Sequence, residues 1–506
     1  MTATTPSAPP REPATMSVRG AAIWAMAGQY LSFAIQFITS VIISRFFLTP
    51  SEVGLFSIAL AAALLVSVLQ DFGLTRYIAG LPSIDDEVLA RCSSVALLFS
   101  FVVAGLIAAA AWPMAHTYAQ PALAPMLLII AASYLFVPLA VVPLALMSRT
   151  MSFRGHFTVN VGGAIAQGSV ALLLAAMGFS AFALAWATFA SGFARGIIAQ
   201  TLRPALPWPL RFDGLRPILS VGSRLTGLYT AYGLCARTPD MIVGKILGLL
   251  AVGLYSRAAS LSDQFRMLIS GAIGSVFYPA FARIRDRGEP LGPAYLRVVA
   301  GYTAIIWPGM AGLALAALPV VNLLYGAKWL AVAPLLATIS LTEIFLVALP
   351  LSTDLGVLMG RINSLLALYL VETILSLTLL TVGCQWGVEG AAASRVVYGL
   401  TCVLLYARFV HGLVGFNVRA LLAIYAKSAA ASLAALAPLA LTYLLWAGPA
   451  QISFPLLLAT VGLGVALWAI AMVALRHPAL DDLLGLLGHL PGARRLQSLL
   501  RALTSG

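Results

Sequence analysis

The stretch Ser223 to Arg266, SRLTGLYTAYGLCARTPDMIVGKILGLLAVGLYSRAASLSDQFR, decides how this chain reads. It is apolar enough to cross a membrane twice, yet it carries Arg224, Arg237, Asp240, Arg257, Asp263 and Arg266. A charged side chain at mid-bilayer costs ~2.5–3.5 kcal/mol on insertion scales, so such groups face a wet cavity, a partner or a substrate. Four arginines against two aspartates leave a cationic surplus, and the expected counterpart is an anion.

The surrounding composition places this stretch in a membrane. Of 506 residues, 61% are hydrophobic and 9% charged, with a mean hydropathy of +0.97. That excludes a soluble globular domain, and the length far exceeds one span, so the fold class expected is an all-α polytopic membrane protein. The net charge of +13 forms no face that tracks a phosphate backbone, so no nucleic acid is expected. Cys92, Cys235, Cys384 and Cys402 show no CxxC spacing and read as small buried hydrophobes. The five histidines fall near span ends or in tails, and neither a metal nor a cofactor is expected. Residues 1–17 lack an apolar signal-peptide core and read as a disordered cytoplasmic tail.

Apolar runs bounded by Pro, Gly or charge fall near 18–45, 52–80, 90–112, 122–147, 157–178, 180–202, 218–245, 250–280, 294–320, 329–358, 362–384, 387–408, 420–446 and 453–475. Each can cross a core of ~30 Å at 1.5 Å per residue, which predicts about 14 helices. With both termini cytoplasmic, 20 of the 30 Lys and Arg fall on cytoplasmic segments and 3 on the other side. That bias supports the orientation.

An internal repeat divides these helices. Val53-Gly54-Leu55-Phe56-Ser57 recurs as Val252-Gly253-Leu254-Tyr255-Ser256, and Pro138-Leu139 with Leu146-Met147-Ser148-Arg149 recurs as Pro350-Leu351 with Leu358-Met359-Gly360-Arg361. Two matches in the same order at nearly one offset predict two pseudo-symmetric six-helix lobes, 18–203 and 218–410. A proline-rich cytoplasmic linker, 204–217, joins them. Two additional helices, 420–475, lie outside the repeat. The tail 476–506 carries Leu480, Leu483, Leu484 and Leu487 at helical spacing and reads as amphipathic, lying on the inner leaflet.

Candidate functional residues follow from charge inside spans. Arg224 and Arg257 lack acids three residues away and are the leading anion ligands, with Arg237, Arg266 and Arg76 behind them. A guanidinium fork holds two oxygens of a diphosphate and keeps its charge when buried. Arg237 with Asp240, and Asp263 with Arg266, read equally as local i, i+3 pairs, and Asp71 sits beside Arg76. Glu343, Asp354 and Glu372 are candidates for ion coupling through exchangeable protons or Na⁺, or else structural partners of Arg395 or Arg361. Short outer loops, and the absence of a His-Glu-x-x-His motif or a P-loop, favour transport over an enzyme.

The stretches Ser44 to Leu55, Asp71-Phe72-Gly73-Leu74, Asp240 to Ser256, and Gly326-Ala327-Lys328-Trp329 with Ala333-Pro334-Leu335 resemble the Wzx-type oligosaccharide flippases of the multidrug/oligosaccharidyl-lipid/polysaccharide exporter superfamily. The resemblance runs from about Ser17 to Arg419. It implies a V-shaped pair of six-helix lobes plus two helices, working by alternating access in a bacterial cytoplasmic (inner) membrane. The implied cargo is an undecaprenyl-diphosphate-linked oligosaccharide for exopolysaccharide, capsule or O-antigen (lipopolysaccharide) synthesis, with H⁺ or Na⁺ coupling and polymerase or co-polymerase partners left open. A drug or metabolite antiporter of the same superfamily is the first alternative, disfavoured by the arginine surplus. A membrane polymerase is the second, disfavoured by the short outer loops.

Overall fold

The computed structural model describes the backbone of residues 18–70, 74, 77–78, 85–205, 210–213, 216–480 and 482, and their side chains except at 18–19, 216–229, 231–232, 269–280 and 282. Among the described residues every regular element is helical. α1 (Val18–Ile42) runs through a π-helical turn, Ile43–Phe47, to α2 (Pro50–Ser67). The sequence Thr49-Pro50-Ser51-Glu52 starts α2 as a capping box. Glu52 Oε2 accepts from the Thr49 amide at 2.7 Å and from its hydroxyl at 2.8 Å, while Pro50 has no amide to satisfy.

α3 (Asp86–Thr117), α4 (Leu123–Tyr134), α5 (Pro138–Arg149), α6 (Phe153–Ala176) and α7 (Phe182–Leu202) follow. α8 (Arg216–Asp286) holds the opening stretch. Gly248, at φ 86°, breaks it into arms 216–247 and 249–286, because only glycine enters that region without a Cβ clash. The two runs expected at 218–245 and 250–280 are these arms. α9 (Leu291–Leu315), α10 (Ala317–Tyr325), α11 (Val332–Leu346), α12 (Ser352–Leu358), α13 (Ile362–Gly383), α14 (Gly387–Val414), α15 (Val418–Leu445) and α16 (Phe454–Ala474) complete the order.

By length and apolarity the described residues hold 10 helices able to cross a membrane, or 11 if the bent pair α4–α5 is one span. The difference from about 14 has a geometric origin. Gly233–Leu268 and Ile362–Val414 each count once although Gly248 and Gly387, both at positive φ, interrupt them, and Val332–Leu346 is too short to count. The second repeat is visible in backbone form. α4 and α5 meet at a 42° bend just before Pro138, and α11 and α12 are separated by a break holding Pro350 and Leu351, the latter at φ 58°.

The chain divides into two compact units, Met1–Leu48 with Ala59–Gly233, and Thr49–Ile58 with Leu234–Gly506. In the first, α6 packs on α1 and α7, and α4 packs on α3 and α7. Arg91 Nη2 meets Asp213 Oδ2 at 2.9 Å, and Arg211 Nη1 meets Glu87 Oε1 at 2.6 Å, pinning the segment after α7 to the start of α3. Both pairs are exposed, so solvent screens them and they contribute little to stability.

In the second unit the first repeat meets itself. Ser57 Oγ and Ser256 Oγ share a hydrogen bond of 2.9 Å. A Cβ on Gly54 would stand 2.0 Å from the Leu249 carbonyl oxygen, and one on Gly253 1.8 Å from that of Pro50. Backbones in lipid associate through such small-residue contacts, since apolar burial gives no drive there.

The added helices attach to this unit: α15 packs on α9 and α16, and Trp468 Nε1 donates to the Ala304 carbonyl at 2.9 Å. Beyond α16, His477 is 2% exposed. Its Nε2 faces Ser428 Oγ at 2.9 Å and its Nδ1 accepts from the Ala479 amide, so the ring sits neutral. Burial, and secondarily Lys427, push its pKa down to about 4. The unfolded chain protonates near ~6.5, so stability is full above that value and falls as pH drops toward 4. His477→Asn should flatten this part of the profile when thermal stability is followed from pH 7.5 to 4.5; an unchanged profile would refute the assignment. The tail leucines from Leu483 onward lie outside the described residues.

Candidate functional site

Three helices of the first unit turn polar faces toward one cavity of about 560 Å³. α1 contributes Gln29, Ser32 and Gln36 at i, i+3, i+7, and α6 contributes His156, Asn160 and Gln167 at i, i+4, i+11. Each set lies on one face at 100° per residue. α7 adds Ser191 and Arg195, one turn apart. Arg195 reaches in because Gly163 on α6 has no side chain: a Cβ there would stand 2.3 Å from Arg195 Cγ. Arg195 Nη2 donates to Asn160 Oδ1 at 3.2 Å, a neutral acceptor. His156 Nε2 is bound to Ser148 Oγ at 2.8 Å. Ser32 Oγ is buried with no hydrogen-bond partner. No carboxylate lines the cavity among the described residues, so its net charge is positive.

Sequence reasoning passed over this site. Arg195 registered only as one more basic residue inside a span, and uncharged amides drew no attention. The available signal was the coincidence of helical-period polar stripes on three apolar runs.

None of the residues singled out from charge alone is among the described lining residues of this cavity. Asp71 and Arg76 fall outside the described residues, as does the Arg224 side chain on α8. Arg237 is exposed and Asp240 half-buried on the first arm of α8. On the second arm, the Arg257 guanidinium lies 5.4 Å from the Tyr325 ring centroid and 5.5 Å from that of Trp329, a cation held on two aromatic faces. Arg266 pairs with Asp263 on its own helix and, through Nε, with Glu343 Oε2 of α11 at 2.8 Å. The structure therefore brings Asp263, Arg266 and Glu343 together, with Glu343 4% exposed. Asp354 is exposed in the first turn of α12.

Glu372 on α13 finds two tyrosines where an arginine was the expected structural partner. Tyr398 and Tyr406, eight residues apart on α14, donate to its two carboxylate oxygens at 2.5 Å each. Arg395 turns instead to Tyr255, with Nη1 3.5 Å from its hydroxyl. A hydrogen bond to a charged group contributes about 1.5–3 kcal/mol. Tyr398→Phe with Tyr406→Phe should therefore lower the apparent Tm in detergent by several degrees, more than either change alone. A double variant as stable as the parent would show that the carboxylate does not depend on these donors.

Comparison with known proteins adds the following. A family model described as polysaccharide biosynthesis protein matches residues 42–334, more than half of the chain. The succinoglycan biosynthesis transport protein ExoT of Rhizobium meliloti is 24% identical over 342 residues, covering 67% of this chain and 68% of that protein. The lipopolysaccharide biosynthesis protein WzxC of Escherichia coli is 22% identical over 290 residues, covering 56% and 58%. Among solved structures, the lipid II flippase MurJ in an inward closed conformation aligns with a TM-score of 0.71 at 14% identity, covering 90% of this chain and 99% of that one. A MOP superfamily transporter from Pyrococcus furiosus aligns with a TM-score of 0.51 at 16% identity, covering 78% and 94%. At such identities the two structures bear on fold alone.

Proposed function

Because the chain belongs to the polysaccharide biosynthesis protein family, we propose that it is a flippase. It moves an undecaprenyl-diphosphate-linked oligosaccharide from the inner to the outer leaflet of a bacterial cytoplasmic membrane, for assembly of an exopolysaccharide, capsule or O-antigen. The observation that carries this reading is the Arg195 cavity: a positively charged, amide-lined space of about 560 Å³ within helices whose outer faces are apolar. A headgroup of hydroxyls and anionic oxygens gains hydrogen bonds there that hydrocarbon denies it.

In this reading the chain crosses the membrane about 14 times, as two six-helix lobes and two C-terminal helices with both ends cytoplasmic. It works by alternating access without ATP. Arg224 and Arg257 remain the leading diphosphate ligands, with Arg237 and Arg76 as further candidates. Arg266 is committed to two carboxylates and contributes less. Glu372, with Asp240 and Asp354, carries H⁺ or Na⁺ coupling, and a polymerase takes over the delivered unit. The alternative, a drug or metabolite antiporter, is less well served, because the acid-free cavity suits an anion better than a cationic drug.

Deletion of the gene, followed by leaflet-resolved analysis of lipid-linked sugars, tests the reading. Single repeat units should accumulate on the inner leaflet. Single units accumulating on the outer leaflet would indicate a polymerase and sink the proposal.

A further inference from the structure

Resting on the flippase reading, a more specific assignment follows for the first unit. We propose that the cavity between α1, α6 and α7 is a carbohydrate subsite that takes a sugar residue bearing one carboxylate. Arg195 holds the carboxylate, and the flanking amides hold the hydroxyls.

The lining chemistry argues for a sugar. Gln29, Gln36, Asn160 and Gln167 each offer an acceptor oxygen and two N–H donors, the complement of vicinal hydroxyls that both donate and accept. Phe33, Phe153 and Phe157 supply apolar ring surface in the same space, suited to the C–H face of a pyranose. Ser32 lines the same wall and adds a hydroxyl to it. The volume falls in the ~300–1,000 Å³ range of small-ligand clefts. An acyl or polyprenyl chain would offer these amides no hydrogen bond.

The charge argues for one carboxylate. Among the described lining residues Arg195 is the single arginine, its hydrogen bond to Asn160 goes to a neutral amide oxygen, and no acid offsets it. A planar guanidinium binds a carboxylate through two parallel hydrogen bonds. A diphosphate, with its higher charge, is better matched where several cations converge. His156 has its Nε2 engaged by Ser148 Oγ of α5 at 2.8 Å.

The test uses the purified full-length protein in detergent. Ligand affinity is read from thermal stabilisation, which rises with free ligand over Kd. The probes are methyl glucuronoside, methyl glucoside and inorganic pyrophosphate. The glucuronoside should bind about tenfold or more tightly than the glucoside, and pyrophosphate more weakly than the glucuronoside. Arg195→Gln should erase the preference for the glucuronoside while leaving glucoside binding in place, which also shows that the variant is folded. Arg195→Lys should retain part of the preference. Gln36→Leu with Gln167→Leu should weaken both sugars together. Pyrophosphate binding as tightly as the glucuronoside, absence of binding by either sugar, or an unchanged preference in Arg195→Gln would each overturn the subsite. These failures are separable from failure of the flippase reading. Sugar binding without inner-leaflet accumulation in the deletion strain would refute flipping and leave the subsite, and the reverse pattern would refute only the subsite.

Discussion

Gly253→Ala, and equally Gly54→Ala, should abolish the folded protein. Each replacement adds one methyl group where the ideal Cβ would stand 1.8 Å from the Pro50 carbonyl oxygen or 2.0 Å from that of Leu249. The obstacle in both cases is backbone, so no rotamer change relieves it and the two helices must separate. Overpacking of a close contact costs ~1–3 kcal/mol and more when the backbone has to move. Separation also breaks the Ser57–Ser256 hydrogen bond and opens the packing around Val252 and Tyr255, which are 0% and 1% exposed. The measurement is the monodisperse yield and apparent Tm of each variant in detergent. Ser57→Ala serves as a mild control that loses one hydrogen bond, about 1 kcal/mol. Parental yield and Tm in both glycine variants would show that the helices do not approach as described.

Arg266→Met should be nearly as damaging, by a different route. Glu343 is 4% exposed and meets Arg266 Nε at 2.8 Å, so removing the cation leaves a carboxylate stranded in a low-dielectric interior. Breaking one partner of a buried pair typically costs ~3–5 kcal/mol. The exposed Asp263 loses its partner too, at little cost, because water replaces it. The decisive variant is the double one. Arg266→Met with Glu343→Gln removes the stranded charge and should recover most of the lost Tm, a coupling that a double-mutant cycle isolates. A double variant no more stable than Arg266→Met alone would show that the pair is not what holds α11 to α8. Because Arg266 has this structural duty, loss of transport in Arg266→Met alone is not evidence that it binds cargo.

The interval Ser223–Arg266 shows how far charge reading carries. It placed two helices, 218–245 and 250–280, with a break between them that the structure puts at Gly248. It also identified Asp263–Arg266 as a local pair, which the structure bears out. It did not show that Glu343, some eighty residues later, completes a triad with them, nor that Arg257 rests on Tyr325 and Trp329. Those partners arrive from other helices, and periodicity within one run carries no information about which run it will face. Glu372 repeats the lesson: ion coupling and an arginine partner were the two readings of its carboxylate, while Tyr398 and Tyr406 donate to it from α14.

What the sequence determined by itself was membrane residence, the all-helical class and the internal repeat, because each depends on quantities summed along the chain: hydropathy and self-similarity. What only the tertiary structure decided was which polar groups are satisfied and which are left open. The repeat's two glycines could be matched in sequence, but their backbone contact required both helices in place. The same holds for the Arg195 cavity, whose amides on α1 and α6 are unremarkable one helix at a time. In a membrane, apolar burial does not drive helices together, so partners are chosen by close packing and hydrogen bonding, and both are properties of pairs of surfaces that no single segment contains.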